Sequence, residues 1–531
     1  MKTLVVASIV ATAVVSGPAA GQRAGLADLR TRAEATQYRE TSRYDDVMAF
    51  IRAVDAAWTA MHVTTFGYTI EGRALPLVVV GDVRDATPET VRASGKTRVF
   101  IQANIHAGEV CGKEAMLMLL RDMAGGAHAH WADSLVLLIA PIYNADGNER
   151  VLLTNRPRQH GPVAGMGQRP NAQGYDLNRD HMKLDSPEAR SLVALMNAYD
   201  PHVAIDLHTT NGSRHAYHIT YSPPLHPNTD SSITRLLREE WLPAVQDHLR
   251  QGRGWESYYY GNAFRPQGAD AMGWYTFDHR PRFNNNYVGL RNRFAILSEA
   301  YSYATFEERV LATLTFVEGA VDFAHANAAR VRTIVEAVDD RAVTGTELGL
   351  RAEFENGGPV DILMGEVDEV RNPYSGEVML LRRDVVRAVQ MNEYGAFTPT
   401  EWTRAPAAYL VPANLTGLLH KLADHGVRTM VLQRNTTLAI EEFVIDSAPQ
   451  AAREFQQHRE RTVFGAYRTS QQDVPAGTVI VPIDQPLGRL VFTLLEPRSD
   501  DGLANWNVLD EALEQGGPYP VLRTHRPVPG R

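Results

Sequence analysis

Apolar and polar positions along the chain fall into blocks of two different periods. Ala24 to Ala60 is charged and helical in pattern, with Ser42 or Asp45 as the capping residue of an apolar-periodic stretch. Thr64 to Ile70 and Leu75 to Gly81, separated by Glu71-Gly72-Arg73, predict two strands joined by a tight turn. Strands and helices then alternate. Arg98 to Ile105, Ser134 to Tyr143, His202 to Leu207 and Phe294 to Glu299 read as strands. Between and after them, Gly112 to Ala124, Ser186 to Tyr199, Ser231 to Leu249 and Phe306 to Ala324 read as helices. Ser186 is placed to cap its helix, with Pro187 at the first helical position. Continuously apolar strands that alternate with helices imply an α/β sheet covered on both faces.

Beyond about Gly345 the pattern changes to short strands and turns. Glu366 to Val370, Val378 to Leu381, Ala408 to Pro412 and Arg428 to Gln433 read as strands, with a helix over Leu415 to His425. A β-rich stretch from Val474 to Ile483 precedes Leu487 to Leu495. This predicts a smaller β-rich α/β domain over 345–531, after a first domain over 22–330.

At the N-terminus, Lys2 precedes an apolar run from Leu4 to Val15 and the small residues Gly17-Pro18-Ala19-Ala20-Gly21. The run is shorter than the roughly 20 residues a membrane helix needs, so residues 1–21 read as a cleaved export signal and no membrane span is expected. The destination is the periplasm or the medium. A single cysteine, Cys111, permits no internal disulfide. Its position near the strand end suits a small buried apolar role. The net charge of -9, without blocks of like charge, argues against nucleic acid as a partner.

Three predicted strands end in residues that can do chemistry. One runs into His106-Ala107-Gly108-Glu109, a second into His208 and a third into Glu299. Ligands of open α/β sheets bind outside the carboxyl ends of strands. Two imidazoles and a carboxylate make a three-ligand zinc site with one position left for water, and a separate Glu299 can take a proton from that water. In a chain with 18 His, about one His-x-x-Glu is expected by chance, so the weight rests on the ordered set. Asp206, two residues before His208, Asp180, His181 and Asp185 are candidates to orient the imidazoles. His215 and His218 read as loop or strand-face histidines.

The segments His106-Ala107-Gly108-Glu109, Pro141-Ile142-Tyr143-Asn144-Ala145-Asp146-Gly147, Asp176-Leu177-Asn178-Arg179 and Asp206-Leu207-His208, with Glu299, together resemble the zinc carboxypeptidases of peptidase family M14. About thirty residues separate Arg179 from His208, which is similar to the bacterial and cytosolic branches. The resemblance is to a secreted bacterial member and spans roughly residues 40 to 325. It implies a carboxypeptidase-like mixed eight-stranded sheet between helices and one zinc ion per chain. His106, Glu109 and His208 match the metal ligands, and Glu299 the general base. Asn178 and Arg179 match the pair that grips a substrate's terminal carboxylate, a task suited to a guanidinium. Arg169, nine residues before Asn178, resembles the arginine that polarises the scissile carbonyl, with Arg150, Arg156 and Arg158 as competitors. The family's substrate-binding tyrosine is assigned to Tyr287, with Tyr275 and the Tyr258-Tyr259-Tyr260 run as alternatives. The implied activity is hydrolysis of the C-terminal bond of peptides with a free carboxylate. A zinc amidase of the same fold, acting on N-acyl amino acids or cell-wall peptides, is the alternative. A non-catalytic binding protein on this scaffold is disfavoured because every ligand and the base are present.

Overall fold

The computed structural model describes residues 25–267, 271–513 and 516–528. The expected signal segment therefore lies outside the described residues. The first ten strands are β1 (Met61–Tyr68), β2 (Ala74–Val80), β3 (Thr97–Ala103), β4 (Leu135–Ala140), β5 (Val203–Thr209), β6 (Ile219–Ser222), β7 (Ser257–Tyr259), β8 (Asn262–Phe264), β9 (Gly273–Tyr275) and β10 (Phe294–Ala300). Eight of them form one mixed sheet in the order β1-β2-β4-β3-β5-β10-β6-β7. The four central strands run parallel, and β1–β2 is the predicted hairpin. Every residue of β3, β4 and β5 is buried, because Val, Ile and Leu fill both faces.

Helices cover the sheet. Cys111–Ala124 packs against Phe306–Ala326, which in turn packs against Leu242–Arg253. A second group includes Pro187–Tyr199 on β1 and Asn284–Leu290 on β5 and β10. Ser186 caps the Pro187 helix as expected, its hydroxyl accepting the Ala189 N–H at 3.1 Å. Two expectations change. The predicted helix over 231–249 is interrupted by a π turn at Leu237–Trp241, two residues before Pro243, which has no N–H to continue the ladder. Neither Ser42 nor Asp45 caps the Tyr44–Asp55 helix; Ser42 instead donates its N–H and hydroxyl to the buried Glu114 carboxylate.

The later strands are β11 (Glu347–Glu355), β12 (Pro359–Met364), β13 (Val367–Arg371), β14 (Val378–Arg382), β15 (Arg387–Tyr394), β16 (Ala396–Arg404), β17 (Ala408–Val411), β18 (Met430–Val431), β19 (Thr436–Ser447), β20 (Phe464–Val474), β21 (Val479–Pro482) and β22 (Leu522–Thr524). The last six form one sheet in the order β18-β21-β17-β22-β19-β20. Pairing also crosses between the two regions. β15 runs parallel to β9, with Tyr394 beside Tyr275, in a four-stranded sheet β12-β15-β9-β8. Trp274 of β9 is buried with Tyr217, Ile362 and Met391, drawn from both regions. Among the described residues, no helix is long and apolar enough to cross a membrane.

Candidate active site

The carboxyl ends of β3, β5 and β10 converge. In the parallel β5–β10 register, Glu299 stands directly beside His208, so strand spacing sets their separation and both side chains leave the same face. His106 and Glu109 lie in the turn between β3 and the Cys111–Ala124 helix. His106, Glu109 and His208 are buried, and one donor atom from each lies within 4.8 Å of the others. Glu109 bridges the two imidazoles. One carboxylate oxygen is 2.9 Å from His106 Nδ1, and the other is 2.8 Å from His208 Nδ1.

Each imidazole points its second nitrogen at an acid: His106 Nε2 is 3.0 Å from Asp176, and His208 Nε2 is 2.9 Å from Asp206. Zinc takes tetrahedral imidazole and carboxylate donors, and its imidazoles commonly donate the far N–H to a carboxylate. The donor set and its outer acids fit that ion. Burial pushes the Glu109 carboxyl up, yet Arg156 and His106 hold it well below the usual carboxylate range.

Asp206 thus orients His208 as anticipated, but Asp180, His181 and Asp185 do not touch the imidazoles. Asp180 accepts from Lys183 and Ser186, His181 contacts Asn284 and the Arg282 carbonyl, and Asp185 pairs with His458. The second orienting acid, Asp176, was missed, although it opens the Asp-Leu-Asn-Arg segment. Its backbone N–H is in turn held by the Gln456 side chain at 2.8 Å, so a loop of the C-terminal region supports the orienter of His106.

A pocket of about 250 Å³ opens over these groups, lined by all three candidate ligands, Glu299, Arg156, Arg169, Asn178, Arg179 and several apolar side chains. Glu299 is partly buried, and one of its carboxylate oxygens is shielded from solvent without any hydrogen-bond partner. Burial, reinforced by Glu109, pushes its carboxyl up to about 8 against the pull of His208 and Arg156.

Arg169 is clamped by Asp176 at 2.8 and 2.9 Å, with 44% of its side chain exposed. Of its competitors, Arg156 also lines the pocket and pairs with Glu109, whereas Arg150 pairs with Glu71. The Arg179 guanidinium carbon sits over the Phe283 ring, 3.7 Å from its centroid, and burial lowers the group to about 10, leaving it charged at neutral pH. Asn178 accepts the Asn284 N–H at 2.8 Å.

Tyr287 requires correction. It is fully buried on the Asn284–Leu290 helix, and its hydroxyl bonds His425 Nδ1 at 2.7 Å, away from the pocket. Of the tyrosines weighed, Tyr260 lines the pocket, beside Phe277 at 5.6 Å between ring centroids. His215 is a core histidine tilted against the Tyr301 ring at 4.4 Å between centroids, and Cys111 is buried beside Thr209.

A sequence model of the M14 zinc carboxypeptidase family matches residues 47–278. Carboxypeptidase 2 of Trichophyton tonsurans is 25% identical over 515 residues, covering 91% of this chain and 86% of its own. Carboxypeptidase E of Caenorhabditis elegans is 34% identical over 126 residues, 23% of this chain and 25% of its own. The solved metallo-carboxypeptidase from Burkholderia cenocepacia is 19% identical, with 54% of this chain and 69% of that chain covered and a TM-score of 0.40. The match to the Trichophyton protein extends well beyond residue 278, into the C-terminal region.

Proposed function

We propose that this chain, a zinc carboxypeptidase across residues 47–278, removes single residues from peptides that carry a free terminal carboxylate. The observation that carries the reading is Glu299, whose buried and unpartnered carboxylate oxygen stands in register with His208. His106, Glu109 and His208 would hold a zinc ion, which would supply Lewis-acid activation of the attacking water and the scissile carbonyl. Glu299 accepts the proton released by that water and returns it to the leaving amine. Arg169, with Arg156 nearby, faces the oxygen on which negative charge develops. Arg179 and Asn178 receive the terminal carboxylate, with Phe283 holding the guanidinium plane. Tyr260 takes the tyrosine position in the pocket wall.

Residues 345–531 act in this reading as a buttress. Gln456 holds Asp176, and Asp501 accepts from the Arg282 backbone and guanidinium at 2.6 and 2.8 Å, one residue before Phe283. Export is also part of the proposal, supported by Lys2, the apolar Leu4 to Val15 run and the small residues after it. The bacterial placement rests on the short Arg179-to-His208 spacer, while the curated carboxypeptidase 2 relatives are fungal.

The test is a mixed peptide library, free and C-terminally amidated, with and without chelator, read by mass spectrometry. Chelator-sensitive loss of single residues from free peptides alone is expected. Bound zinc without trimming would favour an amidase. Arg179→Ala should lower kcat/KM on free peptides by about tenfold to a thousandfold, the value of a buried charge-assisted pair, while retaining a full zinc complement. Wild-type kcat/KM in that variant would remove Arg179 from carboxylate binding. His208→Ala should leave less than one zinc per ten chains by metal analysis. A full complement would show that the ligand set is wrong.

A further inference from the structure

The hairpin that supplies Tyr260 and Phe277 to the pocket continues away from it as an aromatic face. β8 begins two residues after Tyr260, and β9 ends two residues before Phe277. The ladder continues one step further, from the Thr276 N–H to the Tyr394 carbonyl. Within it Asn262 faces Tyr275, Phe264 faces Gly273, and Tyr394 of β15 lies beside Tyr275. The opposite side of these strands carries Trp274 and Met391, both buried, so the aromatic side faces outward.

Tyr275 and Tyr394 stack with centroids 4.1 Å apart and planes within 2°. Phe264 meets Tyr275 edge-on at 5.8 Å and Phe354 meets it at 5.4 Å, while Phe397 lies 4.6 Å from Phe354. Phe264 and Phe354 remain 54% and 41% exposed. Gly273 is required beneath the stack, since a Cβ there would come within 2.8 Å of both tyrosine rings. A contiguous exposed aromatic patch of this kind marks a binding surface.

We propose that this face docks the part of a peptide substrate upstream of the cleaved bond. The proposal rests on the exopeptidase reading above. A substrate anchored by its carboxylate at Arg179 has to leave through the pocket mouth, and Tyr260 and Phe277 connect that mouth to the face. From Tyr260 to Phe264 the strand spans about 13 Å, the length of roughly four extended residues. Ring faces contact any side chain through dispersion and stacking, without demanding a sequence. That tolerance suits an enzyme that presents a new upstream sequence to the same surface after each cut.

The experiment uses peptides with identical C-terminal pairs, from an N-blocked dipeptide to an octapeptide. Wild-type kcat/KM should rise with length over about four upstream residues and then level off. Phe264→Ala and Phe354→Ala should flatten that rise, lowering octapeptide kcat/KM roughly fivefold to tenfold through KM, with the blocked dipeptide unchanged. No length dependence in the wild type, or equal losses on dipeptide and octapeptide, would overturn the proposal. So would loss of the length effect on adding N-acetylglucosamine oligomers, which would assign the face to glycan. Octapeptide binding to Glu299→Gln, with and without Phe264→Ala, reads the face independently of turnover. Equal affinities there overturn it, whereas absent trimming by the wild type overturns the exopeptidase reading alone.

Discussion

Glu299→Gln should retain a full zinc complement while kcat falls by about 10² to 10⁴, the usual contribution of a general base. The amide keeps the shape of the side chain in the β5–β10 register beside His208 but cannot accept the proton. Because the three candidate ligands are untouched, metal analysis separates this loss from collapse of the site. The wild-type pH profile supplies the sign. A base works only when deprotonated, and burial raises the Glu299 carboxyl above its ordinary value of about 4.3. The active form is therefore lost as pH falls through the raised pKa, and the acid limb of kcat/KM should lie above the ordinary carboxylate range. Bound zinc, a nearby positive charge, draws that limb down from about 8. The limb should vanish in Glu299→Gln. Retained wild-type turnover would take Glu299 out of the mechanism.

Removing residues 345–531 should abolish cooperative folding, not merely relax specificity. The cut strips β15 from β9 and uncovers Trp274, whose burial is worth about 1.5–3 kcal/mol for a large apolar side chain. It also removes Asp501 from Arg282, a guanidinium only 3% exposed, and breaking such a buried pair from one side costs about 3–5 kcal/mol. Loss of His425 leaves the buried Tyr287 hydroxyl without its imidazole partner. Against a typical domain stability of about 5–15 kcal/mol, these losses are sufficient to unfold the fragment. Calorimetry and circular dichroism of a 22–344 fragment check this. A sharp unfolding transition with wild-type activity would make the C-terminal region a dispensable attachment.

The parts of this architecture that were legible in the chain share a physical trait. β3, β4 and β5 are buried on both faces, so their apolar runs are uninterrupted and their ends are marked by polar residues. The metal-ligand candidates stand at those ends and were found with them. Legibility failed where tertiary contacts decide. Tyr287 and Tyr260 are both plausible tyrosines by position, and only the packing of the Asn284–Leu290 helix against β5 and β10 turns Tyr287 inward. β6 and β7 are short and flanked by Pro and Gly, and were passed over. The long antiparallel strands β11, β16, β19 and β20 alternate exposed and half-buried positions and are rich in polar and charged residues, so they carry no long apolar run to find. Asp176 as an orienter depends on a ring nitrogen 70 residues away, which no local pattern encodes.

The β9–β15 pairing also sets an order of events during synthesis. Tyr275 acquires its second strand neighbour only when Tyr394 has been made, and the Asp176 backbone N–H finds its Gln456 acceptor 280 residues later. Contacts of such long range form late, because a large loop has to close before they stabilise anything. A nascent chain that already contains every candidate ligand and Glu299 still lacks the strand and loop that hold the pocket in place. The geometry of the pocket is thus a property of the finished chain.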